Sequence, residues 1–119
     1  MARVVAYLDD IFFQAKILET AKQLGADLKI CATPEALAAQ FAGSKPDIFI
    51  VDLNARANPF EAISRAKSKA PGVPIVGFVS HVQTELAERA RAAGCDEVMP
   101  RSKFTRDLAT ILAGAKSHS

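Results

Sequence analysis

The residues of this chain best suited to chemistry are three aspartates, Asp9, Asp10 and Asp52, with Ser80 and Arg101 further along. Each stands at the end of a short apolar stretch. Val4 to Leu8 leads into the acidic pair, Ile48 to Val51 into Asp52, Ile75 to Val79 into Ser80, and Val98 and Met99 towards Arg101. An apolar run that stops on a carboxylate gains nothing in packing from it, so Asp52 above all asks for a chemical reason. Three carboxylates drawn into a partly desolvated place repel one another and need a cation or raised pKa values. An all-oxygen donor set suits Mg²⁺, which takes a few carboxylates, retained waters and phosphate oxygens. Taken singly, each aspartate also has a plainer reading, because acidic residues after strands are common in solvated turns and helix caps.

The elements that must position these groups are legible from periodicity. Strands are expected at Arg3 to Leu8, Asp27 to Cys31, Ile48 to Asp52, Ile75 to Val79 and Glu97 to Met99. Each is read as a short, continuous apolar run rather than an alternating one, as in strands covered on both faces. Between them, Phe13, Ile17, Ala21 and Leu24 recur at helical spacing, as do Leu86, Ala90 and Ala93, and then Phe104, Leu108, Ile111 and Leu112. Gly25 and Gly94 fall where helices should stop. Thr33 with Pro34 reads as an N-cap and first-turn proline, and Asn58-Pro59-Phe60-Glu61 as a capped start. Five such βα units predict an α/β fold, a doubly wound parallel sheet of order 2-1-3-4-5 with right-handed crossovers. Ligands of such sheets bind at the carboxyl ends of the strands. Strands 1, 3, 4 and 5 are neighbours in that order, so the three aspartates, Ser80 and Arg101 converge on one rim.

On these residues the chain resembles the receiver domains of two-component response regulators, from Arg3 to about Ala113. That family carries an acidic pair after strand 1, a phosphoacceptor aspartate after strand 3, a Ser or Thr after strand 4 and a lysine after strand 5. The matches are Asp9 and Asp10 in Tyr-Leu-Asp-Asp, Asp52 in Ile-Val-Asp-Leu-Asn, and Ser80 in Gly-Phe-Val-Ser-His. The intervals of 42 residues from Asp10 to Asp52, 28 to Ser80 and 21 to Arg101 are close to the family's. The resemblance implies a flavodoxin-like three-layer sandwich in which Asp52 accepts a phosphoryl group from a phosphohistidine with the help of Mg²⁺. It implies that Asp10 binds the metal directly, Asp9 through water, and Asn54 through its backbone carbonyl, while the Ser80 hydroxyl reaches a phosphoryl oxygen. The implied partners are a histidine kinase or phosphotransfer protein and a downstream protein on the face of helix 4, strand 5 and helix 5. A second copy of the chain is another occupant for that face. The protein would then be a signalling module and no enzyme beyond phosphorylating and dephosphorylating itself.

Several positions depart from the family pattern. Arg101 stands where the lysine is usual, a planar fork in place of a compact ammonium. Ser102 replaces the following proline and reads as an N-cap of the last helix, while Pro100 precedes Arg101. Val98 occupies the place of an aromatic residue that commonly changes rotamer, and Leu53 to Phe60 lacks the usual Met-Pro. His81 follows Ser80 where a small residue is common, and either narrows access to the pocket or sits in solvent. An alternative function follows from these departures: a receiver-like interaction module that works without phosphorylation.

The remaining sequence narrows the field. The 119 residues suit one domain, 1–119, with no separate output domain, and half of them are hydrophobic, enough for a core. Basic residues number 6 against 7 acidic in positions 1–60 and 9 against 6 in positions 61–119, too balanced for a nucleic-acid track. No apolar run approaches a membrane span, and none resembles a signal peptide, which gives a cytoplasmic expectation. Cys31 and Cys95 make no metal pattern and are expected as separate core thiols near opposite sheet edges. His118 lies in a polar tail, Ala115 to Ser119, expected to be disordered. There is no Gly-x-Ser-x-Gly elbow for a hydrolase, no pair of aspartates two apart for an Asp-x-Asp phosphatase, and no glycine-rich loop for a nucleotide.

Overall fold

The computed structural model describes residues 2–43, 45–80 and 84–114. Five strands, β1 (Arg3–Tyr7), β2 (Asp27–Cys31), β3 (Ile48–Asp52), β4 (Ile75–Val79) and β5 (Glu97–Pro100), form one sheet of order β2-β1-β3-β4-β5. Every pairing is parallel. The helices are α1 (Ile11–Leu24), α2 (Pro34–Ala42), α3 (Pro59–Lys69), α4 (Thr84–Ala93), α5 (Arg101–Arg106) and α6 (Leu108–Gly114). The doubly wound α/β architecture predicted from the apolar runs is therefore the observed one. The central strands β3 and β4 are buried at every position, as continuous apolar runs require.

Side chains alternate across the sheet and feed two cores. On one face Tyr7, Phe49, Val51 and Ile75 pack with Leu37 of α2, Ile63 of α3 and Ala90 of α4. On the other, Val4, Ala6, Ile50 and Phe78 pack with Phe13 and Ile17 of α1, Phe104 of α5 and Leu112 of α6. The glycine in β4 is set by this packing: a Cβ on Gly77 would stand 3.1 Å from Cys95 Sγ and 3.4 Å from the Leu53 methyls. Cys31 and Cys95 are both buried and free, as expected.

The helix ends follow the sequence signals. Thr33 Oγ1 accepts from the Ala36 N–H at 3.1 Å, and Asn58 Oδ1 accepts from Phe60 and Glu61 at 3.1 Å each. Gly25 closes α1 in the left-handed region, φ 70°, its N–H reaching the Ala21 and Lys22 carbonyls.

Four details differ from expectation. β1 ends at Tyr7 rather than Leu8, and β5 extends one residue further, to Pro100. The final helical stripe is two short helices broken at Asp107, although Phe104, Leu108 and Leu112 still share one buried face. Ser102 does not cap the last helix. The chain turns helical at Arg101, directly after Pro100, whose φ of −63° and extended ψ suit a helix entry and which makes no side-chain cap. The expectations for His81 and for the tail Ala115–Ser119, including His118, lie outside the described residues.

Candidate functional site

The carboxyl ends of β1, β3 and β4 lie side by side, and the candidate residues follow from them. Asp52 is the last residue of β3 and is 5% exposed, the one buried charged side chain among the described residues. Its Oδ1 accepts from the Asn54 N–H at 2.9 Å, which bends the chain out of the strand. Asn54 in turn accepts the Ser80 N–H on its Oδ1 at 2.8 Å, joining the loops after β3 and β4. The role expected for Asn54 concerned its backbone carbonyl. The side chain, which spacing did not single out, is what links Asp52 to Ser80. Ser80 itself is exposed.

Asp10 opens α1. Its Oδ1 accepts from Phe12 at 3.0 Å and Phe13 at 3.1 Å, so the plainer reading of this aspartate, a helix cap, is realised. Its other oxygen, Oδ2, accepts from Arg101 Nη2 at 2.8 Å. Asp9 Oδ2 accepts from the Arg56 N–H at 2.9 Å, which fastens the loop after β3 to the end of β1. Tyr7 assists there, donating its hydroxyl to the Ala57 carbonyl at 2.8 Å; burial pushes the phenol up to about 12.

Arg101, directly after β5, is more than a point charge. Its guanidinium lies over the Phe13 ring, 4.2 Å from the centroid, and 5.9 Å from that of Phe78. Phe13 meets Phe78 edge to face at 5.2 Å, and Phe78 stacks on Phe104 at 4.5 Å. A flat cation on an aromatic floor is a use of arginine that lysine does not reproduce. The Arg101 Nε is buried without a hydrogen-bond partner, a cost the ring contacts and the ion pair must offset. Helical periodicity marked Phe13 and Phe104 only as core, because nothing in their spacing shows a cation above them.

The charges respond to this arrangement in opposite ways. Burial raises the Asp52 pKa; its Asn54 hydrogen bond and Arg101 oppose that rise, and Asp9 and Asp10 add to it. Asp10 is lowered, first by its hydrogen bond from Arg101 and then by the N–H of Phe13. The structure thus brings Asp9, Asp10, Asp52 and Arg101 near enough to feel one another. In kind, these oxygens fit a hard divalent cation. In arrangement, among the described residues no three acidic, His or Cys side chains are gathered closely enough to hold a metal ion. Asp10 is committed to α1 and to Arg101.

Elsewhere, a cavity of about 220 Å³ lies between α4 and β5, lined by Val79, Ala87, Arg91, Val98 and Met99 among others. Val98 is at this site, where a larger side chain would occupy that space. No helix among the described residues is long and apolar enough to cross a membrane.

No family model matches the chain, and no curated protein matches it in sequence. Solved structures do. A CheY-like response regulator receiver domain protein from Methanospirillum hungatei JF-1 superposes with a TM-score of 0.80 at 14% identity, covering 100% of this chain and 99% of that one. The chemotaxis response regulator CheY4 of Vibrio cholerae gives 0.80 at 21% identity, over 97% and 98% of the two chains. The receiver domain of DrrB in a BeF3-activated form gives 0.81 at 16%, over 98% of each. The chain has the fold of response-regulator receiver domains, end to end.

Proposed function

We propose that this chain is a receiver-type module of two-component signal transduction, in which Asp52 accepts a phosphoryl group from a histidine kinase or phosphotransfer protein. The observation that carries the reading is the burial of Asp52. A carboxylate held at the end of a central strand, with its pKa raised by desolvation, destabilises the fold and packs nothing in return. Its retention beside Asp9, Asp10 and a Ser80 loop tied to it through Asn54 is what phosphoryl transfer asks for. In the transfer an Asp52 oxygen forms a bond to phosphorus as the phosphorus–nitrogen bond of the phosphohistidine breaks, and the imidazole leaves. Mg²⁺, were it held by Asp9, Asp10, Asp52 and the Asn54 carbonyl, would neutralise charge on the transferring group, and holding it requires Asp10 to leave Arg101 and the carboxylates to draw together. Ser80 then offers its hydroxyl, and Arg101 its guanidinium, to the new phosphoryl oxygens. Beyond this self-modification no catalytic role is proposed.

Output runs through the face of α4, β5 and α5, towards a downstream protein or a second copy. Incubation with Mg²⁺ and acetyl phosphate, read by intact mass, tests the acceptor. One added phosphoryl group on the parent and none on Asp52→Asn is the expected result; an unmodified parent that also gains no thermal stability from beryllofluoride and Mg²⁺ rejects it. A second reading, a module that binds partners without phosphorylation, draws support from the Arg101–Asp10 pair, which balances part of the acidic charge from within.

A further inference from the structure

We infer that the cavity between α4 and β5 is an anchor site for a partner protein, one that presents an aromatic side chain flanked by carboxylates. The inference rests on the reading of the α4, β5 and α5 face as the output surface and names the chemistry of the partner that fits it.

The cavity follows from small side chains on both of its walls. On α4, Thr84, Ala87 and Arg91 share one face at helical spacing, and Val98 of β5 stands on the other side. Neither Ala87 nor Val98 is large enough to fill the space of about 220 Å³. Val79 and Met99, 4% and 5% exposed, form an apolar floor, while Ala87 and Val98 are only half-buried. The space is therefore apolar below and open at the surface. It is smaller than the roughly 300–1,000 Å³ of pockets that enclose a drug-sized ligand, so it suits one side chain rather than a cofactor. A ring is the group that uses it best: aromatic anchors bury a large area for few rotatable bonds, and a methionine floor favours a ring upon it.

The rim sets the charge of the partner. Arg91 is exposed at the mouth and makes no ion pair among the described residues. Arg89, two residues earlier, is already engaged over the Phe60 ring, 4.0 Å from its centroid. The half of the chain that builds the cavity, residues 61–119, carries 9 basic against 6 acidic side chains. Carboxylates beside the incoming ring thus meet an unpaired guanidinium, and basic neighbours would meet repulsion. The chain's own exposed ring, Phe12 at 84%, lies between Ile11 and Phe13 with no carboxylate next to it, so a second copy fits the mouth less well than an acidic partner.

The test uses the full ¹⁵N-labelled chain and the synthetic peptide acetyl-Asp-Glu-Phe-Glu-Asp-amide, with binding read from amide signals. The proteins are the parent, Val98→Phe and Ala87→Leu, which fill the cavity from either wall, and Arg91→Gln, each verified as folded by circular dichroism. Shifts centred on Ala87, Val98 and Met99 are expected in the parent. Affinity should fall by about tenfold or more in either filled variant, and equally when alanine replaces phenylalanine in the peptide. Arg91→Gln should weaken binding by about threefold, and added salt should weaken binding to the parent. A peptide that leaves these signals unmoved, or that binds the filled variants as well as the parent, overturns the inference. Self-association of the parent without peptide binding, abolished by Val98→Phe, assigns the cavity to a second copy and also overturns it. Acetyl phosphate labelling of the same samples, read by intact mass, reports separately on the acceptor.

Discussion

Asp52 lies where burial favours its protonated form, whereas Asp10 faces a guanidinium that favours its charged form. The two linkages run in opposite directions. For Asp52, with a folded pKa above the unfolded value, the stability contribution is complete below the ordinary carboxylate range and is lost as pH rises through the folded value. For Asp10, lowered on folding, the contribution is present above the unfolded value and is lost as pH falls through the folded one. Asp52→Asn should therefore be more stable than the parent at pH 7, by roughly 1 kcal/mol or a few degrees in Tm. That advantage should shrink as pH falls below the carboxylate range. Thermal melts across pH 3 to 8 check this, and a parent that is the more stable at neutral pH contradicts it. The aspartates and the basic group after β5 were legible in the sequence because each interrupts or follows an apolar run. The Asn54 bridge and the aromatic floor under Arg101 were not, since both depend on contacts between loops and helices that one-dimensional spacing does not encode.

At the scale of elements, α1 begins where the chemistry begins. Asp10→Ala removes the cap and the ion pair together and should cost about 1 kcal/mol, whereas Asp10→Asn keeps a side-chain acceptor for the Phe12 and Phe13 N–H groups and should cost less. Urea denaturation of the two variants distinguishes these effects, and equal losses would show that the ion pair, not the cap, dominates. The loop after β3 hangs on Tyr7 and Asp9. Tyr7→Phe deletes the hydrogen bond to Ala57 and should lower stability by about 1 kcal/mol, with faster amide exchange concentrated in residues 53–58. Unchanged exchange there would mean that Asp9 alone secures the loop. Caps at Thr33 and Asn58 could be read in advance because side chains of those types act locally. The break at Asp107 could not, because Phe104, Leu108 and Leu112 keep helical spacing across it.

Across the whole molecule the sheet separates two cores, and the one beneath the acidic rim is built on Phe13, Phe78 and Phe104. Phe104→Ala, at a fully buried position, should destabilise by about 3–5 kcal/mol and loosen the floor on which Arg101 rests. Denaturant melts read the cost in stability; a cost under about 1 kcal/mol would mean that α5 is not integral to this core. Strand order was legible because buried parallel strands leave continuous apolar runs and crossovers have one hand. Which charge meets which was not, because Asp10 and Arg101 stand 91 residues apart and both orientation and partner are decided by the completed packing.

The acceptor role of Asp52 is tested most directly by trapping the modified residue. After incubation with acetyl phosphate and Mg²⁺, borohydride reduces an aspartyl phosphate to homoserine, which peptide mass spectrometry locates. Homoserine is expected at position 52 and at neither Asp9 nor Asp10. Homoserine at another aspartate, or intact Asp52 in every peptide recovered, contradicts it.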